Sequence, residues 1–111
     1  MSNAAEQLTS EVFFALGDPT RLAVVQQLGA TGALTATTLS DSARVTRQAI
    51  VKHLRVLEDV KLVTRERQGR EVLYSLDTRR LEEARAFLDG ISAGWDRAIE
   101  RLRLLVENEE H

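Results

Sequence analysis

Apolar residues recur along this chain with two different periods, and the switches between them mark its elements. Val12, Phe13 and Leu16 share one side of a helix over about residues 5–16. Asp18-Pro19 predicts the start of a second helix. An aspartate there accepts orphan amide hydrogens of the first turn, and a proline at the first helical position wastes no needed donor. Leu22, Val25 and Leu28 then keep helical spacing until Gly29 and Gly32 stop the pattern. LTATTLSDSA, behind a Thr35 cap, has room for a helix of about two turns. After a break at Arg44-Val45, Thr46 is the next cap, and Ile50, Leu54 and Leu57 form the stripe of a helix with one buried side.

Residues 62–76, LVTRERQGREVLYSL, change to a period of two. Val63, Arg65 and Arg67 alternate with Leu62, Thr64 and Glu66, then Val72, Tyr74 and Leu76 with Leu73 and Ser75, which predicts a β-hairpin around Gln68-Gly69. Beyond it Leu81, Leu88, Trp95 and Leu102 lie seven apart, with Ala84, Ile91, Ala98 and Leu105 offset by three, an a/d seam over four heptads. A helix over about 78–106 would be ~40 Å long, more than a body of this size covers by itself. The excess apolar stripe wants a partner. Gly90 and Gly94 each weaken that helix by about 1 kcal/mol relative to alanine and mark a place for a kink. The expected fold class is mainly α with a small β-hairpin: a winged helix-turn-helix, with the helix-turn-helix over about 36–60 and the wing over about 62–76.

The polar side of the helix after Thr46 carries the candidate chemistry. In VTRQAIVKHL, residues 45–54, the polar positions are Thr46, Arg47, Gln48, Lys52 and His53, without one acid. Arg47, Gln48, Val51, Lys52 and Arg55 fall mainly away from the buried stripe. Such a helix fits the major groove of DNA, where arginine pairs with guanine and glutamine with adenine; Arg47 and Gln48 sit in the first turn, which usually reaches the base edges. Arg67 and Arg70 flank the hairpin tip, where they can meet phosphates or a minor groove. His53, beside Leu54, reads as a packed or phosphate-contacting histidine rather than a metal ligand, because zinc needs several convergent ligands.

Composition narrows the classes. A chain of 111 residues, 43% hydrophobic, supports one small core. It has no apolar run near the ~20 residues of a membrane span, and MSNAAEQLTSEVFFALGDP lacks the basic and long apolar regions of a secretory signal, so a cytoplasmic protein with no membrane partner is expected. No cysteine is present, which removes disulfides, thiolate metal sites and cysteine catalysis together. The net charge of -2 hides a segregation: residues 44–70 carry +5 and the remainder -7. Charge asymmetry alone fits a solvated face equally well. Its coincidence with the helix-turn-helix is what points to a polyanion.

The stretches ALGDPTRLAVVQQL and LTATTLSDSARVTRQAIVKHLRVLEDVKLVTRERQGREVLYSL resemble the ArsR family of winged-helix bacterial repressors, and the ending AGWDRAIERLRLLVE resembles a branch often encoded beside START-like, Aha1-type proteins. The resemblance implies a homodimer joined through its first and last helices, with two recognition helices on successive major grooves of an inverted repeat, repressing and released by an effector. The heptad seam itself puts Leu81, Leu88, Ile91, Trp95, Leu102 and Leu105 of the last helix in the dimer interface, and the joining of first helices implied by the resemblance adds Phe13. The chain departs from the family in three ways. The only histidines are His53 and His111, so the family's thiolate and histidine-rich metal sites cannot be built. Val51 replaces a usual serine, so an apolar contact, such as one to a thymine methyl, is expected in place of a polar one. Lys61 takes a helix-ending position usual for glycine, where a strained or shifted helix end is expected.

The reading is therefore a homodimeric, sequence-specific DNA-binding regulator, a repressor acting by promoter occlusion, without cofactor or metal. A winged helix used for protein–protein contact, with its basic face on an acidic partner, is the alternative. An enzyme finds little support, since no paired carboxylates stand near a plausible nucleophile. Trp95 belongs to the core or seam, with an effector-pocket wall as the other reading. Asp18 and Arg21 are assigned to capping and packing, and Asp89, Asp96 and Glu100 to solvent, although carboxylates alone can hold a hard cation. No residue pattern names a small-molecule effector.

Overall fold

Capping chemistry sets the helix starts. The computed structural model describes residues 3–109, with side chains over 9–108. Helix α1 spans Asn3–Leu16 and α2 spans Pro19–Thr31. Asp18 is extended, and its Oδ2 accepts the backbone N–H of Arg21 at 3.0 Å. The α2 helix runs through Gly29 and ends at Gly32, whose φ of 89° only glycine adopts cheaply. The expectation that Gly29 stops the helix is corrected: one glycine costs about 1 kcal/mol, and burial of Val24, Val25 and Leu28 outweighs it. Leu22 also departs from the expected buried face and is 41% exposed.

The helix-turn-helix follows. Strand β1 is Leu34–Thr35, α3 is Ala36–Ala43 and α4 is Arg47–Asp59. Thr35 Oγ1 accepts the Thr38 N–H at 3.2 Å, and Thr46 Oγ1 accepts the Ala49 N–H at 3.1 Å. Each helix closes through a left-handed residue that is not glycine, Arg44 (φ 58°) after α3 and Lys61 (φ 66°) after α4. At Lys61 the N–H donates to Glu58 O and that of Leu62 to Leu57 O, each at 3.0 Å, the paired bonds of a Schellman ending. The helix end is not shifted. Lysine simply occupies the left-handed conformation.

Strands β2 (Val63–Gln68) and β3 (Glu71–Leu76) form the hairpin. Gln68 pairs with Glu71, so the turn residues are Gly69 and Arg70, one position later than the sequence suggests, and Gly69 supplies the positive φ of 65°. A third strand joins: Leu34 pairs with Tyr74 and Thr35 with Leu73, giving the order β1-β3-β2. Two residues are too few to show an alternation, which is why the sequence pattern missed it.

One core joins these pieces. Val12 and Ala15 of α1, Leu28 of α2, Leu39 of α3, the Ile50, Leu54 and Leu57 stripe of α4, and Leu62, Val63 and Tyr74 of the wing base are all buried together. The last helix, α5, spans Thr78–Glu109 without interruption at Gly90 or Gly94 and is about 48 Å long by helical rise. Its first turns reach the body: Ala84 is buried, Leu81 packs against the core, and the Phe87 ring lies 5.9 Å from that of Phe13. Beyond them the helix leaves it. The radius of gyration is 19.3 Å, against about 13 Å for a compact chain of this length. Among the described residues no helix is long and apolar enough to cross a membrane.

Candidate nucleic-acid interface

Burial of Ile50, Leu54 and Leu57 fixes the rotation of α4, and everything it shows to solvent follows from that. Arg47, Gln48, Lys52 and Arg55 are exposed along one face, and Val51 is half-buried among them. These five side chains border a shallow depression of about 520 Å³. Among the described residues Arg47, Lys52, Arg55 and Arg70 make no ion pair, so their charges are available to a partner. Thr46, by contrast, commits its hydroxyl oxygen to capping α4.

A second concavity, about 450 Å³, separates α4 from the wing. Thr37 and Thr38 at the start of α3 line it, together with Arg47 and Val51 of α4 and Arg65, Arg70 and Tyr74 of the hairpin. Arg65 was not singled out by the sequence. Its alternation with Val63 puts it on the Tyr74 side of the hairpin, and that side faces α4. Its Nε lies 3.3 Å from Glu58 Oε2, a bridge that ties β2 to the last turn of α4. Thr37 and Thr38 carried no sequence signal beyond their helix. Arg70 therefore joins Arg47 at the cleft, whereas Arg67 donates from Nε to Gly69 O at 3.3 Å and stays at the wing tip.

His53 is turned to the opposite flank. Its Nδ1 lies 3.3 Å from Arg21 Nη1 and 3.7 Å from Asp18 Oδ2, while Arg21 Nε donates to Ala15 O at 2.7 Å. Three helices thus meet at one polar junction. The Arg21 backbone N–H holds the Asp18 carboxyl below its ordinary pKa, and the His53 and Arg21 charges act in the same direction. At the start of α5 the Arg79 guanidinium, followed by its backbone N–H, does the same for Asp77. Among the described residues no group of three or more His, Cys, Asp or Glu side chains converges on a point; His111 lies outside them.

The candidate seam residues divide. Phe13 and Leu81 are half-buried within their own subunit, while Leu88, Ile91, Trp95, Leu102 and Leu105 are exposed by 44 to 66%. Phe14 at 77%, Phe87, Ile99 and Val106 add exposed apolar surface that the heptad positions alone did not include.

A helix-turn-helix with a basic outward face and a three-stranded wing defines a class, the winged-helix transcriptional regulators that bind DNA. A helix-turn-helix domain family matches residues 16–66. The HTH-type transcriptional regulator Rv2034 of Mycobacterium tuberculosis is 36% identical over 95 residues, 86% of this chain and 85% of that protein. The transcriptional repressor SdpR of Bacillus subtilis is 29% identical over 75 residues, 68% of this chain and 82% of the repressor. Among solved structures, an ArsR-like transcriptional regulator from Rhodococcus sp. RHA1 matches with a TM-score of 0.79 and 32% identity, covering 92% of this chain and 95% of that one. The chain belongs to the ArsR family of winged helix-turn-helix regulators, as its motifs led us to expect, and members of this family regulate transcription rather than catalyse reactions.

Proposed function

We propose that the protein acts in the cytoplasm as a homodimeric repressor that binds an inverted-repeat operator and occludes a promoter. Residues 36–76 read DNA, and the first and last helices join the two copies. The observation that carries the reading is the outward face of α4: Arg47, Gln48, Lys52 and Arg55 are solvent-exposed, and the cations among them have no ion-pair partner in the described structure. Arg47 and Gln48 contact base edges. Arg55, Lys52, Arg67 and Arg70 contact backbone, Thr46 fixes the helix start, and His53 holds the helix from behind.

The dimer rests on the α5 stripe. A standard stable interface buries about 800 Å² per partner, and the exposed apolar side chains from Leu88 to Val106 on the protruding helix are the surface such an interface would cover. A dimer then presents two recognition helices one helical turn of DNA apart, about 34 Å. The absence of cysteine and the wide spacing of the two histidines in sequence support operator binding without a metal, with release left to an organic effector or to protein abundance.

Mobility shifts on a selected operator and on scrambled duplex, across a salt series, test this. Arg47→Ala and Gln48→Ala should each cost about 1–3 kcal/mol on the operator and much less on scrambled DNA, while Arg70→Ala weakens both alike. Chelator or stoichiometric zinc should leave the wild-type affinity unchanged. Equal losses on both sequences for Gln48→Ala would remove it from base reading, and absence of duplex binding at low salt would favour the protein–protein module.

A further inference from the structure

Val51 stands out on the DNA-facing side of α4, because it is the one aliphatic side chain among Arg47, Gln48, Lys52 and Arg55. It lines both the outward depression and the cleft toward the wing, so it forms the ridge between them. Its inner side packs against the core, which anchors it. A β-branched residue within a helix has essentially one χ1 rotamer, so the two methyls are presented in fixed positions. Arg47 and Arg55 lie one turn before and after it, and their hydrocarbon stems, with that of Lys52, supply apolar walls while the charged heads reach into water or to phosphate.

A base edge brought against this ridge meets no donor and no acceptor from residue 51. Polar atoms pressed there lose water without compensation, whereas a methyl group gains by burial. In the major groove, the unmodified bases offer such a group only at C5 of thymine, and methylation at C5 gives cytosine the same feature. We propose that Val51 is a specificity-determining residue that reads the 5-methyl group of a pyrimidine in each half-site, next to the bases taken by Arg47 and Gln48. The inference rests on the DNA-reading role of α4 and adds to it the chemical feature recognised. It has a corollary: where an operator variant carries cytosine at that position, methylation of C5 strengthens binding.

The test uses the full-length protein. A preferred operator is selected from random duplex, and each thymine of one half-site is replaced in turn by uracil, which removes the methyl and leaves every hydrogen-bonding group in place. At one position wild-type affinity should fall about fourfold, the worth of one buried methyl, and about fifteenfold when both half-sites are changed. Cytosine and 5-methylcytosine at that position should differ in the same sense. In Val51→Ala and Val51→Ser the thymine-to-uracil ratio should collapse toward one. That ratio compares two duplexes on one protein preparation, so partial unfolding of a variant cancels from it. If the operator is bound selectively but no thymine can be told from uracil, or if the discrimination persists unchanged in both variants, the methyl reading is overturned while DNA reading by α4 stands. If no duplex is selected over random sequence, both fall together.

Discussion

Asp18 shows how one side chain is fixed by its neighbours at the residue scale. Its carboxylate caps α2 through the Arg21 N–H and faces His53 and Arg21, and its folded-state pKa is lowered. A depressed carboxylate contributes stability at pH values above its unfolded pKa, about 4, and that contribution is lost as pH falls through the lower folded value. Asparagine also caps well, so Asp18→Asn isolates the charge. Urea midpoints between pH 7 and pH 3 should fall less steeply in the variant than in wild type; parallel curves would show that the Asp18 charge contributes nothing. Residues of this kind were unevenly legible. Asp18, Thr35 and Thr46 could be read as caps because capping is a matter of three or four adjacent residues. Lys61 stood out only through the family resemblance, as a position usual for glycine, and the shifted helix end expected there is not what the chain adopts. The bridge from Arg65 to Glu58, and the meeting of His53 with Asp18 across 35 positions, were not legible, because they depend on how α4 packs against other elements.

Among the elements, periodicity gave the helices and the hairpin wherever a run was long enough to show it. Competing local signals were misleading where packing outweighed them: Gly29 sits inside α2, and Gly90 and Gly94 sit inside α5. The length of α5 explains the second case, since an interior glycine costs about 1 kcal/mol in a helix of 32 residues that has many other good helix formers. A Cβ at Gly90 would meet nothing within 4 Å in the subunit. Gly90→Ala should therefore stabilise the helix by about 1 kcal/mol, seen as a higher thermal midpoint with undiminished helical circular dichroism. A lower midpoint would mean that a neighbour not belonging to the subunit comes close at this position.

For the whole molecule, the elongated shape matters most. Trp95 is 66% exposed and far from the core, so its removal should spare the subunit fold and act on association alone. Covering it in a dimer would bury roughly 150 Å² or more, worth about 4 kcal/mol per protomer. Trp95→Ala should sediment as a folded monomer at micromolar concentration where wild type sediments as a dimer, and its operator affinity should drop because a single winged helix engages one half-site. Wild type sedimenting as a monomer, or a variant that stays dimeric with unchanged affinity, would falsify the seam. The heptads made this stripe legible in sequence; which part of it the subunit covers for itself, Leu81 and Ala84 but not Leu88 onward, was set by where α1 ends and the body stops.

Thr35 links two parts of the candidate interface that look separate. Its backbone pairs with Leu73 in the wing sheet, while its hydroxyl oxygen caps α3. The base of the wing and the start of α3 are thereby cut from one piece. A fluctuation that opens one must release the other, so they form a single cooperative unit. The hairpin tip, Gln68 to Glu71, lies beyond the β1 pairing and is held by β2 and β3 alone. In the operator complex proposed above, an imperfect site is then met by the wing tip and by bending of the duplex, and sequences that bend easily gain affinity at base pairs the protein never touches.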